Sequence, residues 1–232
     1  MGGRGEIHQH SGWLIPLGLL GVIAALCGFF LLYYLRPPPA PFRNSQPAAA
    51  TVAVTFTVRG LTFRIPARYV ERRAGRTGVG RDRIPLVAAL PDMRGYSDAE
   101  DALFNGNAPD SPVIHFVIRA DASSLDAKTR LKRVYGPYLL APEGEEAPFG
   151  LTRYTFRSDS AYGRSDLFAG KGGGLLFLCE RPAQDLPSPN CLAIDRPLAP
   201  GVSVTFRFKR AHLARWQAIG EGVDRLITGF RR

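Results

Sequence analysis

The sequence predicts an α+β fold: an N-terminal single transmembrane helix, a proline-rich linker, then one domain with a mainly antiparallel β-sheet packed by a C-terminal amphipathic helix. Three observations carry this reading. Residues 13–35, WLIPLGLLGVIAALCGFFLLYYL, contain no charged residue. Apolar and polar residues then alternate in short runs separated by turns bearing glycine and proline, the pattern of half-buried strands. The last stretch, 211–230, places Leu213, Trp216, Ile219, Val223, Leu226, Ile227 and Phe230 at helical spacing. The expected organisation is a tail over 1–12, the transmembrane helix over 13–35, a linker over 36–50 and an exported globular α+β domain over 51–232.

Residues 13–35 rise about 34 Å as a helix at about 1.5 Å per residue, enough to cross a hydrocarbon core about 30 Å thick. Trp13, Tyr33 and Tyr34 near its ends suit the interfacial aromatic belt. The apolar run is longer than a secretory h-region of roughly 7–15 residues. The nearest small-residue cleavage site, Ala48-Ala49-Ala50, lies well past its end, which favours a retained anchor. Two signals for orientation oppose each other. Arg36 and Arg43 outnumber Arg4 and favour a cytoplasmic domain, whereas the pair Cys179 and Cys191 favours an oxidising compartment. Long domains translocate largely regardless of charge. The expected location is the bacterial inner membrane, single-pass, N-terminus cytoplasmic and C-terminal domain periplasmic, with the lipid bilayer as one partner through residues 13–35.

The linker carries Pro37, Pro38, Pro39, Pro41 and Pro47 and reads as a stiff, extended spacer. Within the domain, Val52 to Val58 and Leu61 to Ile65 alternate around Arg59-Gly60, a hairpin with a two-residue turn. Residues 84–90 and 113–119 read as strands, with His115 expected to be a satisfied core residue. Ser97-Asp98-Ala99-Glu100 matches a capping box and predicts a short helix to Phe104; residues 124–135 predict a second, stopped by Gly136-Pro137. Strands follow over 151–156, 166–169, 175–179, 191–194 and 202–208, and connections this short require antiparallel pairing. Cys179 and Cys191 bracket a proline-rich loop, and a disulfide there would stabilise the fold by about 3 kcal/mol in the loop-entropy account.

Lys and Arg number 30 against 20 Asp and Glu, a formal charge of +10, and four of the cations are lysine. The most basic stretch, 67–83, carries Arg68, Arg72, Arg73, Arg76, Arg81 and Arg83, the candidates for an anion-binding loop. No phosphate-cradling GxxxxGK[ST] or GxGxxG motif accompanies them, and no GxSxG elbow or HExxH pair occurs. The acids Asp92, Asp98, Glu100, Asp101 and Asp110 lack the spacing of a calcium loop. No catalytic residue, cofactor or metal is therefore expected. The layout predicts a non-catalytic partner-binding module of accessory, assembly or immunity type, with an unidentified protein as partner. The alternative is a basic domain that binds polyanions or lipid head groups, to which each arginine near an anionic surface adds about 1 kcal/mol. Nucleic acid is not expected on the exported side.

Overall fold

The computed structural model describes residues 14–34, 52–71, 82–120, 125–171 and 174–232, without the side chains of 14, 15, 31–34 and 195. The chain divides into two units, Met1–Arg43 and Asn44–Arg232. In the first, helix α1 spans Leu14–Tyr34, 21 residues with no acid in its first turn and no base in its last. Its described side chains run from 16 to 30, a rise of about 22 Å. Among the described residues no helix is long and apolar enough to cross a membrane. The expected tail over 1–12 and linker over 36–50 lie outside the described residues.

In the second unit, β1 (Ala53–Val58) pairs antiparallel with β2 (Leu61–Pro66). Arg59 and Gly60 both take positive φ, 47° and 82°, the geometry of the primed turn that matches strand twist. This hairpin forms its own two-stranded sheet. Its inward residues Phe56, Val58, Phe63 and Ile65 are buried.

The main sheet has eight strands: β3 (Arg83–Ala89), β4 (Val113–Ala120), β5 (Glu145–Ala147), β6 (Leu151–Thr155), β7 (Ser165–Gly170), β8 (Leu176–Glu180), β9 (Asn190–Ala199) and β10 (Val202–Lys209). Their order is β3-β4-β10-β9-β8-β7-β6-β5, and every neighbouring pair is antiparallel. The chain leaves β4, crosses to the far edge at β5 and returns strand by strand until β10 closes on β4. The short edge strand β5 carries Glu145 and Glu146, charges that discourage a further strand from adding there.

One face of the sheet holds the principal core. Ile84, Leu86, Ile114, Phe116, Ile118, Phe177, Val204, Phe206 and Phe208 point into it together with the hairpin and helix α4 (Trp216–Phe230). Trp216, Ile219, Val223, Ile227 and Phe230 form the buried stripe of α4. Trp216 lies edge-on to Phe177 at 5.7 Å and donates from Nε1 to the Phe149 carbonyl at 3.1 Å. Gly170 is required beneath it, since a Cβ there would sit 2.6 Å from the indole. The expected helix over 211–230 begins later than its apolar spacing suggests, because Arg210–Arg215 winds as a 3₁₀ turn before α4.

The opposite face carries two separate covers. Helix α2 (Asp101–Asn105) and its approach place Tyr96 and Phe104 over Val87, Ala89 and Val113. The expected capping box is not formed: Ser97 Oγ donates to the Glu100 carboxylate at 3.0 Å and caps no backbone N–H. Glu100 is drawn instead to Arg94, 2.7 Å away. The second cover is helix α3 (Ala127–Arg130), continued by a wider π turn over Leu131–Tyr135. It is shorter than the helix expected over 124–135 because Asp126, its N-cap, accepts from Thr129 N at 2.8 Å and fixes the start. Its Tyr135, with Leu139, packs over Tyr154, Phe156, Leu167, Ala169 and Leu176.

Candidate functional site

Between the two covers the sheet keeps a strip of side chains from β4, β10 and β9. Strand alternation puts His115, Val117 and Arg119 of β4 on this face, with Ser203, Thr205, Arg207 and Lys209 of β10 beside them. Leu192 and Ile194 of β9 continue the row, Leu192 standing opposite Arg207 in register. His115, Val117, Thr205 and Ile194 are half-buried, and Arg207 and Leu192 are exposed. The expectation of a core histidine is therefore corrected. His115 belongs to the open face of β4, and its Nδ1 lies 3.2 Å from the Glu71 carboxylate.

A cavity of about 250 Å³ opens at one end of the strip, with Asn107, Ser111, His115, Asn190, Arg207 and Lys209 in its wall. Lys209 is 7% exposed. Its Nζ donates to Asn107 Oδ1 at 2.6 Å and to the Ser188 carbonyl at 3.4 Å. Burial pushes its pKa below the usual lysine value; neighbouring Arg207 adds to the effect and Glu180 opposes it. Asn190 is fixed by Glu180, whose Oε2 accepts from its backbone N at 2.7 Å and from its amide at 3.0 Å. The loop 105–112 is tied to the segment after β10 by His212, whose Nε2 lies 3.0 and 3.1 Å from the Asp110 and Ser111 carbonyls.

Cys179 and Cys191 stand opposite each other on β8 and β9 and form a disulfide across the base of the loop 180–190. The same loop is held by Arg164, which donates to both oxygens of Asp185 at 2.7 Å. Asp166, directly across from Cys179, is buried at 6% exposure. It accepts from Arg181 Nε at 2.8 Å and from an Arg210 guanidinium nitrogen at 2.7 Å. Arg210 also donates to the Glu180 carbonyl at 2.8 Å and lies over the Phe168 ring at 5.4 Å. These contacts rigidify the wall that Asn190 supplies to the cavity.

Of the arginines expected to bind anions, Arg72, Arg73, Arg76 and Arg81 lie outside the described residues. Arg68 sits in the turn after β2 with its guanidinium 5.3 Å over Tyr69. Arg83 opens β3 opposite Arg119. The Arg68 carbonyl accepts from Tyr96 N, two residues past Arg94, which bridges Ala89 at the far end of β3 from Arg83. The structure does not bring these two together. It collects Arg207, Lys209 and His115 instead.

The wall of the cavity is rich in donors: an ammonium, a guanidinium and two carboxamides. Among the described residues no carboxylate lies in ion-pair range of Lys209 or Arg207, and no group of three His, Cys, Asp or Glu converges as a metal site would require. Ser111 Oγ accepts from Val113 N rather than facing a base. The arrangement suits recognition of an anion.

No family model matches the chain, and no curated protein matches it. Among solved structures it is similar to Smlt3025, an immunity protein of the Stenotrophomonas maltophilia type IV secretion system. The two are 18% identical, the match covers 78% of this chain and 94% of that one, and the TM-score is 0.56. The likeness is one of fold. The iron-regulated outer membrane lipoprotein FrpD of Neisseria meningitidis also matches, 17% identical over 82% of this chain and 97% of that chain, with a TM-score of 0.42.

Proposed function

We propose that this chain is a membrane-anchored envelope protein whose exported domain docks a protein partner on the strip of β4, β10 and β9 and catalyses no reaction. The observation that carries the proposal is the strip itself. It exposes a cation, Arg207, beside an apolar side chain, Leu192, next to a cavity whose walls are held in place before anything binds. A mixed apolar and arginine patch over a preorganised pocket is the arrangement in which a few residues dominate binding. The fold shared with an immunity protein supports the same reading.

Anchoring is inferred from the sequence alone, where residues 13–35 carry no charge and match the length of a membrane-spanning segment. Export of the domain rests on the Cys179–Cys191 disulfide, a bond kept in the periplasm and lost in a reducing cytosol. In this reading the N-terminus is cytoplasmic and the domain periplasmic.

A photoreactive amino acid placed at Leu192 tests the docking surface in living cells. The expected result is one discrete protein adduct from Leu192 that is missing when the probe replaces Arg225, which is exposed on α4. Equal labelling from both positions refutes the assignment.

A further inference from the structure

The cavity beside the strip has a chemistry that the docking surface alone does not explain. An ammonium has three donors, and Lys209 uses two: a short one to Asn107 Oδ1 and a long one, 3.4 Å, to the Ser188 carbonyl. Because Asn107 turns its oxygen to Lys209, its amide donors are left for another acceptor. Arg207 stands in the same wall, exposed and without an ion pair among the described residues. Burying a cation with no carboxylate in ion-pair contact is unfavourable, and Lys209, on which Glu180 acts only without such contact, is stabilised when an anion joins it.

We infer that this cavity receives one carboxylate side chain, glutamate or aspartate, from the protein that docks on the strip. The inference rests on the docking reading. Three observations select this occupant. The volume, about 250 Å³, equals roughly eight waters at about 30 Å³ each and admits one side chain with its stem. Arg207 belongs both to the cavity wall and to the exposed row with Leu192, so a residue entering past it comes from whatever covers that row. The net charge of +10 steers acidic surfaces toward the domain. Lys209 then meets the carboxylate inside, Arg207 closes over it at the rim, and Asn107 supplies a neutral donor. Asn190, pinned by Glu180 and by the neighbouring disulfide, keeps the far wall from collapsing.

The lysines make the test direct, since the chain has only Lys128, Lys132, Lys171 and Lys209. Full-length protein in detergent, labelled with carbon-13 at lysine Cε, gives four signals that Lys→Arg variants assign. The probe is N-acetyl-glutamate methylamide, with N-acetyl-glutamine methylamide and inorganic phosphate as the other arms. A ligand of this size is held in a roughly millimolar range. The expected result is a saturable shift of the Lys209 signal with the glutamate compound, at least about tenfold weaker binding of the glutamine compound, and weaker glutamate binding in Arg207→Met. Arg207 is exposed, so that variant leaves the core intact. No saturable shift, equal binding of glutamine, or tighter binding of phosphate than of glutamate overturns the inference. A Leu192 adduct with a silent Lys209 overturns it while leaving the docking surface standing. A responsive Lys209 with no adduct removes the docking surface, and the partner-borne carboxylate with it.

Discussion

Replacing Asp166 with alanine tests whether the buried ion cluster holds the loop and cavity wall. Asp166 is 8% exposed at its side chain and joins Arg210, 21% exposed, to Arg181, 37% exposed. A hydrogen bond to a charged group contributes about 1.5–3 kcal/mol when sheltered. The Arg210 bond falls in that range, and the more exposed Arg181 bond is discounted to about 1 kcal/mol or less. Their sum, about 1.5–4 kcal/mol, overlaps the roughly 3–5 kcal/mol lost when one partner of a buried pair is removed. Urea denaturation of Asp166→Ala should show this loss, with a fall in Tm of about 3–16 °C for a domain of this size. Arg210 also stacks on Phe168 and bonds the Glu180 carbonyl, so its own truncation overstates the pair. A double-mutant cycle removes that contribution. The Asp166–Arg210 coupling should exceed the Asp166–Arg181 coupling by about 1 kcal/mol or more. A loss below about 1 kcal/mol, or equal couplings, refutes the reasoning.

Further outcomes follow from other contacts. Cys179→Ala with Cys191→Ala should lower stability by about 3 kcal/mol, the loop-entropy value for a separation of 12, and wild-type thiols should resist labelling until reductant is added. Gly170→Ala should cost about 1–3 kcal/mol by forcing a methyl into the Trp216 indole, read from the urea midpoint. Lys209 has its folded pKa depressed by burial, so between that value and 10.5 the unfolded chain holds more protons. Wild-type stability should therefore rise with pH through that window relative to Lys209→Met, and a pH-independent difference in urea midpoints contradicts the assignment.

The local elements were legible because their determinants are local. The hairpin follows from alternation around Arg59-Gly60, and the stripe of α4 follows from its apolar spacing. The disulfide pair was visible as two cysteines closing a proline-rich loop. Strand order was hidden, because nothing within residues 113–120 or 202–209 says that β4 and β10 are neighbours. That pairing creates the strip. Alternation in VSVTFRFK does put Arg207 and Lys209 on one face, yet their meeting with His115 depends on a contact across about 90 residues. The arginine-dense stretch 67–83 drew attention through composition alone, and its described ends, Arg68 and Arg83, lie apart along β3. The helix expected over 124–135 starts later, at Ala127, for a local reason that a finer reading of Asp126 as an N-cap would have found, and its helical winding runs on to Tyr135.

The docking surface is tested most directly by the affinity of the protein recovered in the Leu192 adduct for two surface variants of the full chain. Leu192→Asp puts a charge in the middle of the strip, and Arg225→Asp changes the charge of α4 away from it. Loss of a central apolar contact costs about 2 kcal/mol or more, a factor of about 30 in Kd. The account requires at least that loss for Leu192→Asp and a change within about threefold for Arg225→Asp. Equal affinities for the two variants would contradict it.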